Sequence, residues 1–258
     1  MCCCSRGGAR KATPKYGTFQ ELVAHVRQAG LRSSQLILAF DFSKSNIWSG
    51  QQTYRRSLHD TAQETPYEKV CRLMLPVIAN FDDDGIVPAL RFGCHDTKDR
   101  TVAPLSPLAH SPECKGLGEV LRQYREAVNL VRLSGPTTLA PVIRYATQIV
   151  RLSHEYHILL ILTDGDPVSA SLDVDAVVEA SNYPISIIVV GLGDGPFPVF
   201  ESFDDHIPHR RFDNFQFVNF TALEREYHAS DRADLILASR LFEEIPTQYQ
   251  KICEHGLL

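Results

Sequence analysis

The 258 residues are 44% hydrophobic and 22% charged, a composition that suits a globular domain with an ample core. The formal charge is −5, from 26 Lys and Arg against 31 Asp and Glu, and no basic block breaks the core. That argues against nucleic-acid binding, which needs a cationic face. No apolar run approaches the about 20 residues of a membrane span. The amino terminus also lacks the apolar stretch of a secretory signal, so a cytoplasmic location is expected.

Residues 1–16 are small, basic and unpatterned, and read as a flexible tail; residues 17–258 read as one domain. Cys2, Cys3 and Cys4 crowd the tail beside Arg6, Arg10, Lys11 and Lys15. Adjacent thiols among cations suit S-acylation and peripheral attachment to the inner face of a membrane. The plain alternative is an unmodified tail. Cys71, Cys94, Cys114 and Cys253 show no zinc spacing and read as reduced thiols, with Cys71 and Cys94 in packing positions.

A helix is expected from Thr18, with Glu21 placed for a capping box and Gly30 ending it. Residues 35–40 form a short apolar run without alternation, as do 86–92, 157–163 and 185–190. Such runs fit strands buried on both faces of a parallel sheet. Helical patterns fall between them, over 66–80, 117–133, 140–152 and 174–181. A Pro/Ser/Thr-rich excursion spans 97–114, a further strand is expected at 215–220, and one long final helix over 229–249. The alternation predicts an α/β fold: a doubly wound, mostly parallel sheet with helices on both faces.

In such sheets ligands bind beyond the carboxyl ends of the strands. Asp41 stands at one such end, with Ser43 and Ser45 alternating after it, and Asp164 stands at another. A polar cluster at Gly135-Pro136-Thr137-Thr138 precedes the helix at 140. Two carboxylates and three hydroxyls form a hard-oxygen set, suited to Mg²⁺ or Mn²⁺ and not to zinc. Each piece has a plainer explanation: Asp41 and Ser43 could cap a helix, and Asp164-Gly165 could be a turn. Their conjunction at the ends of two buried strands favours a site. Gly191, Gly193 and Gly195 follow a strand, but the GxGxxG order is missing, so no nucleotide is expected. His95-Asp96, His206 and His209 lack the motifs that accompany acid–base catalysis. Trp48 could line a partner groove or pack against the excursion.

The DxSxS…T…D arrangement resembles the metal-ion-dependent adhesion site of von Willebrand factor A domains, with Asp41, Ser43, Ser45, Thr137 and Asp164 in its five places. Longer words narrow the likeness: FDFSKSN (40–46), WSG (48–50), LSGPT (133–137), APV (140–142), LTDG (162–165), VGLGDGP (190–196), FDNFQFVNF (212–220) and EIPTQY (244–249). Together they resemble the copine domain, especially its form in plant RING-type ubiquitin ligases, over residues 18–258. The family usually has Thr where Ser43 stands, which keeps the hydroxyl, and Asp166 adds a carboxylate near the site.

The resemblance implies a non-enzymatic module in which Mg²⁺ (or Mn²⁺ or Ca²⁺) leaves a position open for an Asp or Glu of a protein partner. No C2 or RING pattern is seen in these residues, so calcium-driven membrane docking and ubiquitin transfer are not expected. One rival function is a metal-dependent phosphatase, which would need an acid where Ser43 stands. Another is a scaffold whose metal site is unused.

Overall fold

The computed structural model describes residues 16–258; Cys2, Cys3 and Cys4 lie outside them. Seven strands form one sheet: β1 (Gln35–Asp41), β2 (Ile86–Phe92), β3 (Ala103–Pro104), β4 (Glu113–Lys115), β5 (His157–Thr163), β6 (Ile185–Gly191) and β7 (Phe215–Asn219). The order is β3-β2-β1-β5-β6-β7, with β4 also on β2. Neighbours are parallel from β2 through β7, while β3 and β4 run antiparallel to β2. Of the two short strands, β3 lies within the stretch expected as an excursion and β4 straddles its end.

The apolar runs lack alternation because both faces of the sheet are covered. Leu36, Leu38 and Phe40 point to one core, shared with Val26, Val70, Tyr124, Leu237 and Ile252. Ile37 and Ala39 point to the other, with Ile143, Val177 and Phe200. On the first face lie α1 (Phe19–Gln28), α2 (Pro66–Ile78), α3 (Gly116–Leu130), α8 (Ala233–Leu241) and α9 (Ile245–Glu254); on the second lie α4 (Ala140–Ser153), α5 (Ala170–Ala180) and α6 (Pro198–His206). A further helix, α7 (Phe220–Tyr227), follows β7 directly. Cys71, Cys94 and Cys114 are buried free thiols, and Cys253 is an exposed one.

Two expectations need correction. The helix over 229–249 is two helices, α8 and α9, separated at 242–244. Pro246 in an unbroken helix would remove a hydrogen bond and clash one turn back, whereas at the start of α9 it fits. Residues 198–206, where no element is expected, form α6, with Pro198 in its first turn. The capping box at α1 is half made. Thr18 accepts from the Glu21 N–H at 3.1 Å, but the Glu21 carboxylate accepts from Gly17 N instead of Thr18 N.

The strand order reverses between β2 and β5, the neighbours of β1, and the register pairs Phe40 with Leu162 and Asp41 with Phe92. The chain therefore leaves β1 and β5 side by side at one sheet edge, where a doubly wound fold has its crevice. Helix α2 braces this edge. Its full capping box joins Thr65 Oγ1 to Glu68 N (3.1 Å) and Glu68 Oε2 to Thr65 N (2.9 Å), and Arg125 Nε donates to Glu68 Oε1 at 2.7 Å. Loss of such a cap costs about 1 kcal/mol. Thr65→Ala should lower the melting temperature by about 2–4 °C in a chain of this size. Scanning calorimetry reads the shift, and an unchanged melting temperature contradicts the bracing role.

Candidate metal centre

Asp41 is the last residue of β1 and is buried. Its Oδ1 accepts from the Ser43 N–H at 2.7 Å, and its Oδ2 accepts from the Thr163 hydroxyl at 2.6 Å. Asp164, one step beyond β5 and also buried, faces the same loop. Its Oδ1 accepts from Ser43 Oγ (3.0 Å) and Ser45 Oγ (2.9 Å), and those two hydroxyls lie 2.8 Å apart. Its Oδ2 accepts from the Ser49 hydroxyl. One residue, Ser43, thus touches both carboxylates: its amide holds Asp41 and its hydroxyl holds Asp164. Ser43 precedes a short 3-10 turn (Lys44–Ile47), yet its side chain makes no capping bond there. The helix-cap explanation of Ser43 is therefore wrong.

Thr137 arrives on a third segment. Ser43 pairs with Ser134 in a parallel bridge, and Lys44 N donates to Ser134 O at 2.5 Å, which docks the 134–138 loop beside the site. Gly93, just past β2, shows how closely the pieces meet. A Cβ built on it would overlap Thr137 Cγ2 and come within 2.7 Å of Asp41 Oδ1, and its φ is +71°. Only glycine suits both the space and the backbone at that position. The fold therefore brings Asp41, Ser43, Ser45, Asp164 and Thr137 to one place.

A polar layer holds the floor. The backbone carbonyl of Asp41 faces Asn46 Nδ2 (3.4 Å), His59 Nε2 (3.0 Å) and the Tyr67 hydroxyl (3.2 Å). A carbonyl can only accept, so Nε2 of His59 carries the proton and Nδ1 accepts from the Tyr124 hydroxyl at 2.9 Å. Burial drives the His59 pKa down to about 4, which keeps the ring neutral. The ring is stacked between Phe42 and Tyr67, with centroids 4.6 Å away on either side.

Two carboxylates buried together repel one another and lose hydration. Burial first, and the nearby Asp164 charge second, push the Asp41 carboxyl up to about 7. Burial also raises Asp164, against the pull of hydrogen bonds from Ser49, Ser45 and Ser43. Among the described residues neither carboxylate forms an ion pair with a Lys, Arg or His side chain. Nor is there a His/Cys/Asp/Glu cluster of three or more that could hold a metal, so any ion here would need the hydroxyls. Uncompensated negative charge facing hydroxyl oxygens fits a hard divalent cation.

Several neighbours have other work. Asp166 caps α6, accepting from Val199 N (2.9 Å) and Phe200 N (3.2 Å). The Thr138 hydroxyl donates to Asp173, which also accepts from Ala140 N at 2.7 Å at the start of α4. The Gly191–Gly195 segment clamps the turn after Ser45: Asp194 accepts from Gln52 N (2.8 Å) and Thr53 N (2.9 Å), and its own N–H donates to Ser49 O (2.6 Å). His95, His206 and His209 are exposed. Trp48 is exposed too. Residue reading missed Ser49, Thr163, Asn46 and Gly93 as contributors. Thr163 and Asn46 adjoin the acid and serine motifs and could have been suspected, whereas Gly93 and Ser49 carry no local sign.

A family model described as Copine matches residues 57–258. The E3 ubiquitin-protein ligase RGLG3 of Arabidopsis thaliana is 39% identical over 251 residues, covering 91% of this chain and 68% of that protein. Copine family protein 2 of Caenorhabditis elegans is 38% identical over 255 residues, covering 97% of this chain and 3% of that protein. Much of the latter relative's length therefore lies outside the match. Among solved structures, the TFIIH p34 N-terminal domain superposes with a TM-score of 0.50 at 12% identity, over 81% of this chain and 97% of that one. That likeness concerns the fold alone.

The raised pKa of Asp41 makes a stability prediction for the ion-free chain. Its folded value, about 7, exceeds the ordinary 3.8, so the protonated form is favoured by folding. The contribution is full below about 3.8 and lost as pH rises through about 7. Asp41→Asn keeps the shape without the charge. In chelator at pH 8 it should raise the melting temperature by several degrees, given about 2–4 °C per kcal/mol. At pH 4 the gain should vanish. A variant less stable than the parent at pH 8 contradicts this electrostatic account.

Proposed function

The chain belongs to the copine family, and from that premise we propose that residues 17–258 form a divalent-cation-dependent protein-interaction domain without catalytic activity. The observation that carries the proposal is the pair of buried carboxylates, Asp41 and Asp164, joined through Ser43 and lacking a cationic partner among the described residues. Ser43, Ser45 and Thr137 would offer neutral oxygens, while Asp41 and Asp164 would supply charge, with Mg²⁺ as the first candidate and Mn²⁺ or Ca²⁺ as alternatives. A bound cation would act as a Lewis acid toward a carboxylate of a partner's Asp or Glu. The residues of this chain keep the site in shape: Thr163 and the Ser43 amide fix Asp41, and Ser49 fixes Asp164.

Both oxygens of Asp41 already accept hydrogen bonds, and position 43 carries a hydroxyl in place of a second acid. That disfavours the phosphatase reading, which requires a free aspartate nucleophile with an acid beside it. Ubiquitin transfer, named for RGLG3, is not part of the proposal. Among the described residues no helix is long and apolar enough to cross a membrane. Cytoplasmic residence with peripheral attachment through acylated Cys2, Cys3 and Cys4 is proposed from the tail composition alone.

Isothermal titration of Mg²⁺ and Mn²⁺ tests the reading. The parent chain should bind one ion, Asp41→Ala should weaken binding at least about tenfold, and affinity should fall as pH drops through about 7 because protons compete for Asp41. Unchanged binding by Asp41→Ala contradicts the assignment.

A further inference from the structure

We propose that the apolar rim around the Asp41–Asp164 site selects a partner segment whose ion-seeking carboxylate is flanked by large apolar side chains, with Trp48 as the anchor on this chain. This rests on the metal-site reading above and adds the chemistry of the partner.

Because β1 and β5 are neighbours, the loops leaving them stand on adjoining sides of the site. The first carries Ile47 and Trp48, 43% and 56% exposed, on the 3-10 turn where Trp48 N donates to Ser45 O at 2.9 Å. The second carries Val168, 65% exposed, whose N–H donates to Thr137 O at 3.1 Å, and then Leu172, 46% exposed, in the first turns of α5. Nine large apolar side chains are exposed among the described residues, and four of them are these. Three of them, Ile47, Trp48 and Val168, lie on the two loops that follow Asp41 and Asp164, and Leu172 lies just past the second loop on α5. Single exposed apolar residues need no explanation, but a group rimming a polar site marks a binding surface.

The turn bearing Trp48 is rigid. Ser49 N donates to Ser45 O (2.9 Å), Leu58 N to Asn46 O (3.0 Å), and Asp194 grips Gln52 N and Thr53 N on the far side. An aromatic anchor presented on a fixed turn loses little conformational freedom on binding, and Trp is the residue most enriched where binding energy concentrates. Charge sets the other half of the specificity. The cation would attract an acid, and exposed Lys44, between Ser43 and Ser45, adds positive charge at the same rim. Apolar neighbours on the partner would cover Trp48 and Val168 and exclude water, which strengthens the carboxylate–ion bond by lowering the local dielectric. An acid in a polar context would leave this surface wet.

The test is a selection of random twelve-residue displayed peptides on the full chain in Mg²⁺, eluted with EDTA, followed by titration of one selected synthetic peptide against the emission of Trp48, the sole tryptophan. The inference predicts an eluted pool enriched in Asp or Glu with aromatic or aliphatic residues within two positions. It also predicts a blue shift of Trp48 emission on binding. Trp48→Ala, read by calorimetry, should bind Mg²⁺ like the parent but hold the peptide at least about tenfold more weakly. Acids enriched without apolar neighbours, or equal peptide affinity for Trp48→Ala, overturn the inference while leaving the metal site standing. A pool without acids, or one that EDTA does not release, overturns the metal-site reading and this inference with it. Vesicles containing anionic phospholipid form the control arm: a Trp48 blue shift there, with none from peptides, assigns the rim to a membrane surface and overturns the peptide partner.

Discussion

Two acids are held side by side with little access to water, and the local structure of this edge of the molecule answers to that constraint. Asp41 and Asp164 end neighbouring parallel strands, so the register that pairs Phe40 with Leu162 also fixes their approach. Among the described residues neither has a cationic side chain for relief. The compensation comes from weaker donors: the Ser43 amide and Thr163 on one side, and Ser43, Ser45 and Ser49 on the other. Burial and mutual repulsion still hold Asp41 near a pKa of about 7. Such a site is poised between accepting protons and accepting a cation.

The floor explains how the constraint is tolerated. Asn46, His59 and Tyr67 converge on the Asp41 carbonyl, and Tyr124 completes His59. Each of these side chains lies in the core, yet each has a partner, which makes the network stiff rather than costly. It ties the loop after β1 to α2 through Tyr67 and to α3 through Tyr124. The capping box of α2 therefore reaches the site through two intermediaries. Rigidity below and exposure above give the Trp48 turn its character: fixed by hydrogen bonds at its base and open to solvent at its tip.

The strands were readable because the core lies on both sides of them. A run such as 157–163, buried at every position, has no polar face to confuse the pattern. Asp41 and Asp164 were readable for the same reason, since an acid at the end of a strand with five consecutive buried apolar residues stands out. Their partners were less so. Gly93 belongs to the site only because β2 pairs with β1, and Ser49 reaches Asp164 across 115 residues of chain. No local pattern encodes such contacts. The last helices were misread because apolar residues recur through 229–249, while the break depends on Pro246 starting a new helix. Asp166 was read as a neighbour of the site, yet its oxygens go to the α6 amides, a role visible only once that helix is seen.

The central claim is that the two buried acids and their hydroxyl neighbours share one hard cation. Diffraction from crystals grown with Mn²⁺, recorded at the manganese absorption edge, addresses it most directly. The account predicts a single anomalous peak among the oxygens of Asp41, Ser43, Ser45, Thr137 and Asp164. A map with no peak there while manganese is bound elsewhere, or with a Lys or Arg side chain neutralising the pair, would contradict it.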